Sequence, residues 1–275
     1  MRALSPVPTS RKSPYNPAMT PEALQDLCEA GQAKLMRMDY LGAEAALAEA
    51  ERHAWAGRDW DTLARLYMPL QEARRQRRQR CGEGTVAVDL LAEGPDDYVD
   101  GRHVIENYPH GQLLVAGWGS IEPARRVRQL QAEHGLYVET FLGAVYPVGR
   151  GDPRRAVVIV PRDDANLPPP RPANSLEELM SFLPQNCLVR WADELPRGSR
   201  GGSTQTYAEV MALWERLYAP YLAAADAEVD PVAKMEGYRQ TIRVDYACEL
   251  AHQKLSDAAR ELGREAREKH FVAGR

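Results

Sequence analysis

A glycine-rich segment, Val115–Ser120, is the part of the chain best suited to bind an anion, because it joins an apolar run to a helical pattern. Small residues let a backbone approach a phosphate, and free N–H groups at a helix start attract negative charge. The third glycine of a dinucleotide fingerprint and the lysine of a P-loop are absent. Pro123 explains the helix start without a ligand, so a structural turn is the alternative. The candidate anion-binding residues are Gly117, Gly119, Ser120, Arg125 and Arg126.

Two other groupings resemble metal sites only in part. Glu249 and His252 have the spacing that places a carboxylate and an imidazole on one helix face, but a di-iron bundle needs two such motifs and the chain has one copy. The acidic residues of Gly94–Gly101 lack the alternation and the closing glutamate of a calcium loop. We therefore predict no metal site and no cofactor.

His103 and His110 flank Glu106 in a segment that could support acid or base chemistry. No nucleophile motif of the G-x-S-x-G kind accompanies them. We therefore assign no catalytic residue and expect a protein that is not an enzyme.

Five arginines between positions 74 and 80 form the most concentrated charge in the chain. At 100° per residue they spread around much of a helix, so this segment is predicted to project into solvent or toward an acidic surface. The alternative is a solvated helix end whose charge complements the helix dipole. The candidate interaction surface consists of Arg74, Arg75, Arg77, Arg78 and Arg80.

Two segments that precede the arginine run resemble each other, and their matching residues are 33 positions apart. The later member of the pair, Trp60-x2-Leu63-Ala64-x2-Tyr67, resembles the tetratricopeptide repeat (TPR) pattern, and the earlier one supplies the small residue Gly31. The resemblance implies helices over 22–38 and 40–54, with small and apolar contacts at Tyr40, Ala43 and Leu47.

The second repeat stops halfway, because the positions 33 residues after Tyr40, Ala43 and Leu47 do not continue the pattern apart from the first, Ala73. Pro69 is expected to kink its helix. The resemblance covers about residues 22–68, and one and a half repeats cannot bury their own apolar face. These helices therefore need a partner, which we place at residues 207–262.

Short apolar runs bounded by Gly, Pro and Asp predict strands in the middle of the chain, at 85–91, 112–116, 136–145, 155–160 and 187–191. A helical pattern over 121–134 separates the second strand from the third, which indicates a βαβ unit and a partly parallel sheet. A second helix is predicted over 175–183. The fold class is therefore mixed α and β, with TPR-like N-terminal helices, a small α/β domain with a mixed sheet of about five strands, and a long C-terminal helical hairpin.

These patterns divide the chain into five parts. The expected parts are a disordered leader (1–19), a TPR-like helical segment (20–82), the α/β domain (85–192), a flexible linker (193–206) and the helical hairpin (207–270), whose second long helix begins at Asp230-Pro231.

Composition limits the function. With 44% apolar residues, 27% charged residues and a net charge of −4, the chain reads as globular, and its charge argues against a general nucleic-acid binder. The four cysteines are scattered, which favours a reducing, cytoplasmic setting. No apolar run is long enough to span a membrane.

Three functions remain open. The first is a non-enzymatic interaction or scaffold protein with a protein partner. The second is an α/β domain that binds an anionic small molecule or nucleotide, as a sensor or an enzyme. The third, nucleic-acid association through Arg74–Arg80, ranks last.

Overall fold

The computed structural model describes residues 19–151, 153–171 and 173–273, so nearly all of the expected leader lies outside the described residues. Its helices, numbered α1 to α9, are Pro21–Met36, Tyr40–Ala56, Trp60–Glu83, Gly101–Asn107, Glu122–His134, Leu176–Phe182, Thr204–Ala227, Pro231–Val244 and Glu249–Ala273. Its strands, numbered β1 to β6, are Thr85–Leu91, Gly111–Trp118, Val138–Val148, Arg154–Val160, Leu188–Trp191 and Arg200–Gly201.

The six strands form one mixed sheet in the order β5-β4-β3-β2-β1-β6. The first three strands are parallel, because α4 and α5 return the chain to the same end of the sheet, whereas the β3–β4, β4–β5 and β1–β6 pairs are antiparallel. The predicted mixed α/β class is therefore confirmed.

Successive side chains of the central strands alternate between two apolar cores, one on each face of the sheet. On one face, Leu113 and Val115 pack with Val127 of α5. On the other, Leu114 and Phe141 pack with α7, where the ring of Trp214 stacks on that of Phe141 at 4.2 Å between centroids. Helices cover both faces of the sheet.

The N-terminal and C-terminal helices share a third core. Leu47, Leu63 and Tyr67 from the N-terminal helices are fully buried in one cluster with Met235 and Leu255 from α8 and α9. The packing partner expected for the incomplete repeat is therefore present. Helix α3 runs as one element through Pro69 to Glu83 and reaches from this core to the sheet.

Two predicted elements differ from the structure. Part of the expected flexible linker pairs with the sheet, since Arg200 and Gly201 lie opposite Val86 and Thr85 as the edge strand β6. The expected second helix of the C-terminal hairpin is two helices, because the chain breaks after α8 at Asp245, whose carboxylate accepts a hydrogen bond from Ala247 N–H at 3.0 Å.

The shared helical core can be tested with two leucines of α9. Replacing buried Leu255 with alanine should lower the free energy of unfolding by about 2–5 kcal/mol, because it leaves a cavity between α3 and α9. Leu250→Ala, at an exposed position of the same helix, should change it by less than about 0.5 kcal/mol. Urea unfolding of both variants measures the difference, and equal losses would contradict the shared core.

Candidate functional site

The arginines of α3 divide between the interior and the surface. Arg74 and Arg78 are one turn apart on the inner face of the helix and are buried, and the side chain of Arg77 is only 20% exposed. Arg75 and Arg80 face outward and pair within the helix. The expectation that this segment projects into solvent is therefore wrong for three of its five arginines.

Arg78 is the most deeply buried of these cations. Its guanidinium donates to Glu139 Oε1 from Nε at 2.9 Å and from Nη2 at 2.6 Å, and Nη2 also lies 2.6 Å from Asp245 Oδ1. Gln112 donates to the other oxygen of Glu139 at 2.7 Å. Both carboxylates are almost completely buried, so this cluster joins α3 to β3 and to the break after α8.

Glu44 of α2 holds the other two inner arginines. Its two oxygens lie 3.2 Å from Arg74 Nε and 2.7 Å from Arg77 Nη1. Burial disfavours the charged form of Glu44, but the charges of Arg77 and Arg74 outweigh it and lower the pKa of this carboxyl. The carboxylate therefore stays ionised against α3.

His252 is buried in α9 and bound on both sides. Its Nε2 lies 3.0 Å from Arg74 Nη1, and its Nδ1 lies 2.8 Å from Cys248 O. Because a guanidinium can only donate, Nε2 accepts and Nδ1–H donates to the carbonyl. Burial and the charge of Arg74 lower the pKa of His252 to about 3. Glu249 is exposed, so it does not share the surroundings of His252.

A cavity of about 460 Å³ opens beside these ion pairs, where the N-terminal helices, the α/β domain and the C-terminal helices meet. Its size is within the usual range for small-molecule sites. Helices α2 and α5 form two of its sides. The lining residues are Leu41, Glu44, Ala45, Ala48, Arg77, Arg128, Gln131, Ala132, Gly135, Leu136, Glu139, Thr140, Trp214, Arg243, Val244 and Tyr246.

Two arginines of this lining have no carboxylate partner. Neither Arg128 nor Arg243 lies within 4 Å of a carboxylate oxygen of the described residues, although Arg128 Nε donates to Thr140 O at 2.8 Å. Burial lowers the pKa of Arg128 to about 10, against the weaker opposing effect of Asp163. The guanidinium remains charged at neutral pH.

Several buried polar atoms of the cavity lining have no hydrogen-bond partner in the described part of the chain. Eight buried polar side-chain atoms of the described residues lack a hydrogen-bond partner, and five of them belong to residues of this cavity: Arg77 Nε, Gln131 Oε1, Thr140 Oγ1, Trp214 Nε1 and Tyr246 Oη. Buried polar atoms are normally paired with protein or with ordered water. These five belong to residues of the cavity lining, so polar groups without a protein partner are concentrated around the cavity.

The anion site predicted from the sequence lies elsewhere, at the carboxyl end of β2. There Gly117 N–H donates to Ser120 O at 3.1 Å, and Gly119 N–H donates to Val145 O at 2.8 Å. Pro170 covers Gly119, where an added Cβ would lie 2.4 Å from the proline ring. Ser120 N–H donates to Gly117 O at 3.4 Å, so three of the loop's N–H groups are used inside the protein.

The two arginines predicted with that loop contact other groups. Arg125 contacts Glu122 and the backbone oxygen of Asp163, and Arg126 lies 3.8 Å from Glu133. Anion binding at Gly117–Ser120 stays an untested prediction. The cavity residue Arg128, one turn further along α5, was missed, although its place three residues after Arg125 was visible in the sequence.

The remaining polar candidates are also far from the cavity lining. His103 is exposed and lies 3.1 Å from the Asn107 side chain, and Glu106 is exposed beside it. Within the described residues, no group of three or more Cys, His, Asp or Glu side chains is arranged to hold a metal ion.

Comparisons with protein-family models, with curated proteins and with solved structures gave no match to this chain. The TPR resemblance of residues 22–68 therefore stays a prediction. Across the part of the chain that the structure describes, no helix is both long and apolar enough to traverse a bilayer.

The buried pairing of His252 with Arg74 predicts a pH-dependent stability. The pKa of His252 in the folded protein lies below its unfolded value of about 6.5, so the unfolded chain takes up the proton first. The stability contributed by the neutral ring is complete above about pH 6.5 and is lost as the pH falls toward 3.

Relative to the wild type, His252→Gln should therefore gain stability as the pH falls, by at most about 1.4 kcal/mol per pH unit below pH 6.5. Urea unfolding at pH 7, 6, 5 and 4 measures this change. His103→Gln, which alters an exposed histidine, should follow the wild type. Parallel curves for His252→Gln and the wild type would contradict the neutral buried ring.

Proposed function

We propose that the protein binds a small anionic molecule in the cavity between α2 and α5. The observation that carries this proposal is the guanidinium of Arg128, which lines the cavity without a carboxylate partner among the described residues. A ligand carboxylate or phosphate would provide the missing partner, and arginine binds both with paired hydrogen bonds.

The charges around the cavity favour an anion. Five guanidiniums line the cavity or lie directly behind its wall, and three carboxylates accompany them, which leaves an excess of two positive charges. The carboxylates are Glu44, Glu139 and Asp245, and each is in contact with an arginine of α3. Arg128 and Arg243 are the two without a carboxylate of the described residues within 4 Å, and Asp163 and Asp164 act on them only from further away, so an anion would bind at their side of the cavity.

This proposal takes up the second of the functions left open by the sequence, but at a different site. A scaffold role with a protein partner stays a prediction, as does nucleic-acid association. The outward members of the candidate interaction surface, Arg75 and Arg80, lie 2.8 Å and 3.1 Å from Glu72 and Glu83, which reduces the positive charge that they present.

Thermal unfolding in the presence of acetate, citrate, AMP and octanoate tests the proposal. A ligand that binds only the folded state stabilises it by about 2.7 kcal/mol at 100 times its Kd. For a chain of this size that corresponds to a rise in Tm of about 5–10 °C. At least one of these anions should raise the Tm, and Arg128→Gln should remove the rise.

Arg126→Gln is the matched control, because Arg126 lies on the same helix but does not line the cavity. This variant should keep the response of the wild type. The proposal is overturned if none of the four anions raises the Tm, or if both variants lose the response equally.

A further inference from the structure

We propose that the ligand of this cavity is an elongated aliphatic monocarboxylate, with its carboxylate at Arg128 and Arg243 and its chain along the groove between α2 and α5 toward Leu136. This inference rests on the proposed function and adds the chemical class of the ligand. It follows from two observations. One end of the cavity is positively charged and the other is apolar, and the aromatic rings of the lining already make contacts within the protein.

The two helices that flank the cavity run in opposite directions. The start of α2 is near the end of α5, because Tyr137 lies within electrostatic range of Asp39 and Tyr40. Further along, Glu51 near the end of α2 lies 3.5 Å from Arg239 of α8. Arg243 follows one turn after Arg239, so it lies at the far end of the cavity from Leu136.

Arg128 belongs to the same end as Arg243. Arg128 lines a neighbouring surface depression together with Asp163 and Asp164, and Arg243 acts electrostatically on Asp164. The two cations without carboxylate partners are therefore close to one another. An anionic group at this end would contact both.

The other end of the cavity is apolar. On α2, Leu41, Ala45 and Ala48 recur at i, i+4 and i+7 and so form one apolar line about 10 Å long. Ala132 and Leu136 face the cavity from the opposite side. These residues give the cavity apolar walls on two sides, which suits an aliphatic chain.

The two aromatic residues of the lining already make ring contacts within the protein. Phe141 stacks on Trp214, and the guanidinium carbon of Arg78 lies 5.1 Å from the Trp214 ring centre. Tyr246 has the guanidinium carbons of Arg77 and Arg78 at 4.4 Å and 5.0 Å from its ring centre. Their polar edges, Trp214 Nε1 and Tyr246 Oη, are the unpartnered atoms, which favours oxygen atoms over stacked rings.

Isothermal titration calorimetry on the full chain tests this class with four probes. Octanoate carries both the anion and the chain, acetate only the anion, 1-octanol only the chain, and AMP an anion with a base. Octanoate should bind at one site, and acetate should bind on the order of 100-fold more weakly, because each buried methylene of the chain adds to affinity. 1-Octanol, which lacks the anion, should bind at least ~10-fold more weakly than octanoate.

Two substitutions separate the ends of the cavity. Ala45→Phe places a large side chain in the chain path at a solvent-exposed position of α2 and should weaken octanoate at least ~10-fold without changing the affinity for acetate. Glu49→Phe, exposed on the same helix outside the cavity, is its control. Arg128→Gln should weaken octanoate and acetate alike.

The outcomes distinguish this inference from the proposed function. AMP or citrate binding in an Arg128-dependent manner, with octanoate no tighter than acetate, would overturn the aliphatic class and leave the anion site in place. Octanoate binding that Ala45→Phe does not weaken would overturn the placement of the chain. If no probe binds, both proposals fail.

Discussion

The buried guanidinium of Arg78 is the contact on which the arrangement of the three parts depends. It binds Glu139 of β3 and Asp245 at the break between α8 and α9, so one side chain connects α3, the sheet and the C-terminal helices. All three groups are nearly inaccessible to water. A buried charge is tolerated only with well-placed partners, and removing one partner typically costs about 3–5 kcal/mol. The cluster therefore tolerates few relative positions of these parts.

The cavity is a consequence of the same arrangement. Side chains around Arg78 fill the space between α3 and the sheet, whereas α2 and α5 stand further apart and leave a gap. Glu139 lines this gap while it holds Arg78, and Tyr246 lies immediately after Asp245. The walls of the candidate site are thus fixed by the ion pairs behind them, which pre-organises the site before any ligand enters.

Local sequence patterns predicted helices and strands well where neighbouring apolar residues define the element. The short apolar run Thr85–Leu91 defined β1 to the residue, and the helical pattern before Gly135 located α5 within one residue. The break after α8 was missed because Tyr246 and Leu250 continue the helical spacing, while the break depends on Asp245. Its partner Arg78 lies far away in the sequence, and a local pattern carries no information about that contact.

The arginine run shows why the candidate site could not be found from the sequence. Charged residues are rarely buried without partners, so a dense arginine run spread around much of a helix indicated an exposed segment. The partners come from three separate places, namely Glu44, Glu139 and Asp245, and only the tertiary fold brings them to α3. Arg128 gave no signal either, because what distinguishes it is the absence of a carboxylate partner among the described residues.

An anion site with two carboxylates in its lining requires explanation, since like charges repel. Glu139 accepts hydrogen bonds from Arg78 and Gln112, and Glu44 accepts from Arg74 and Arg77. Donors thus occupy both oxygens of each carboxylate, and the neighbouring guanidiniums offset its charge. No carboxylate of the described residues lies within 4 Å of Arg128 or Arg243, and Asp163 and Asp164 act on them only from further away, so the positive field at this end of the cavity comes from these two arginines. The ion pairs of α3 therefore do more than stabilise the fold: they neutralise the acidic part of the lining and leave the positive charge at one end of the cavity.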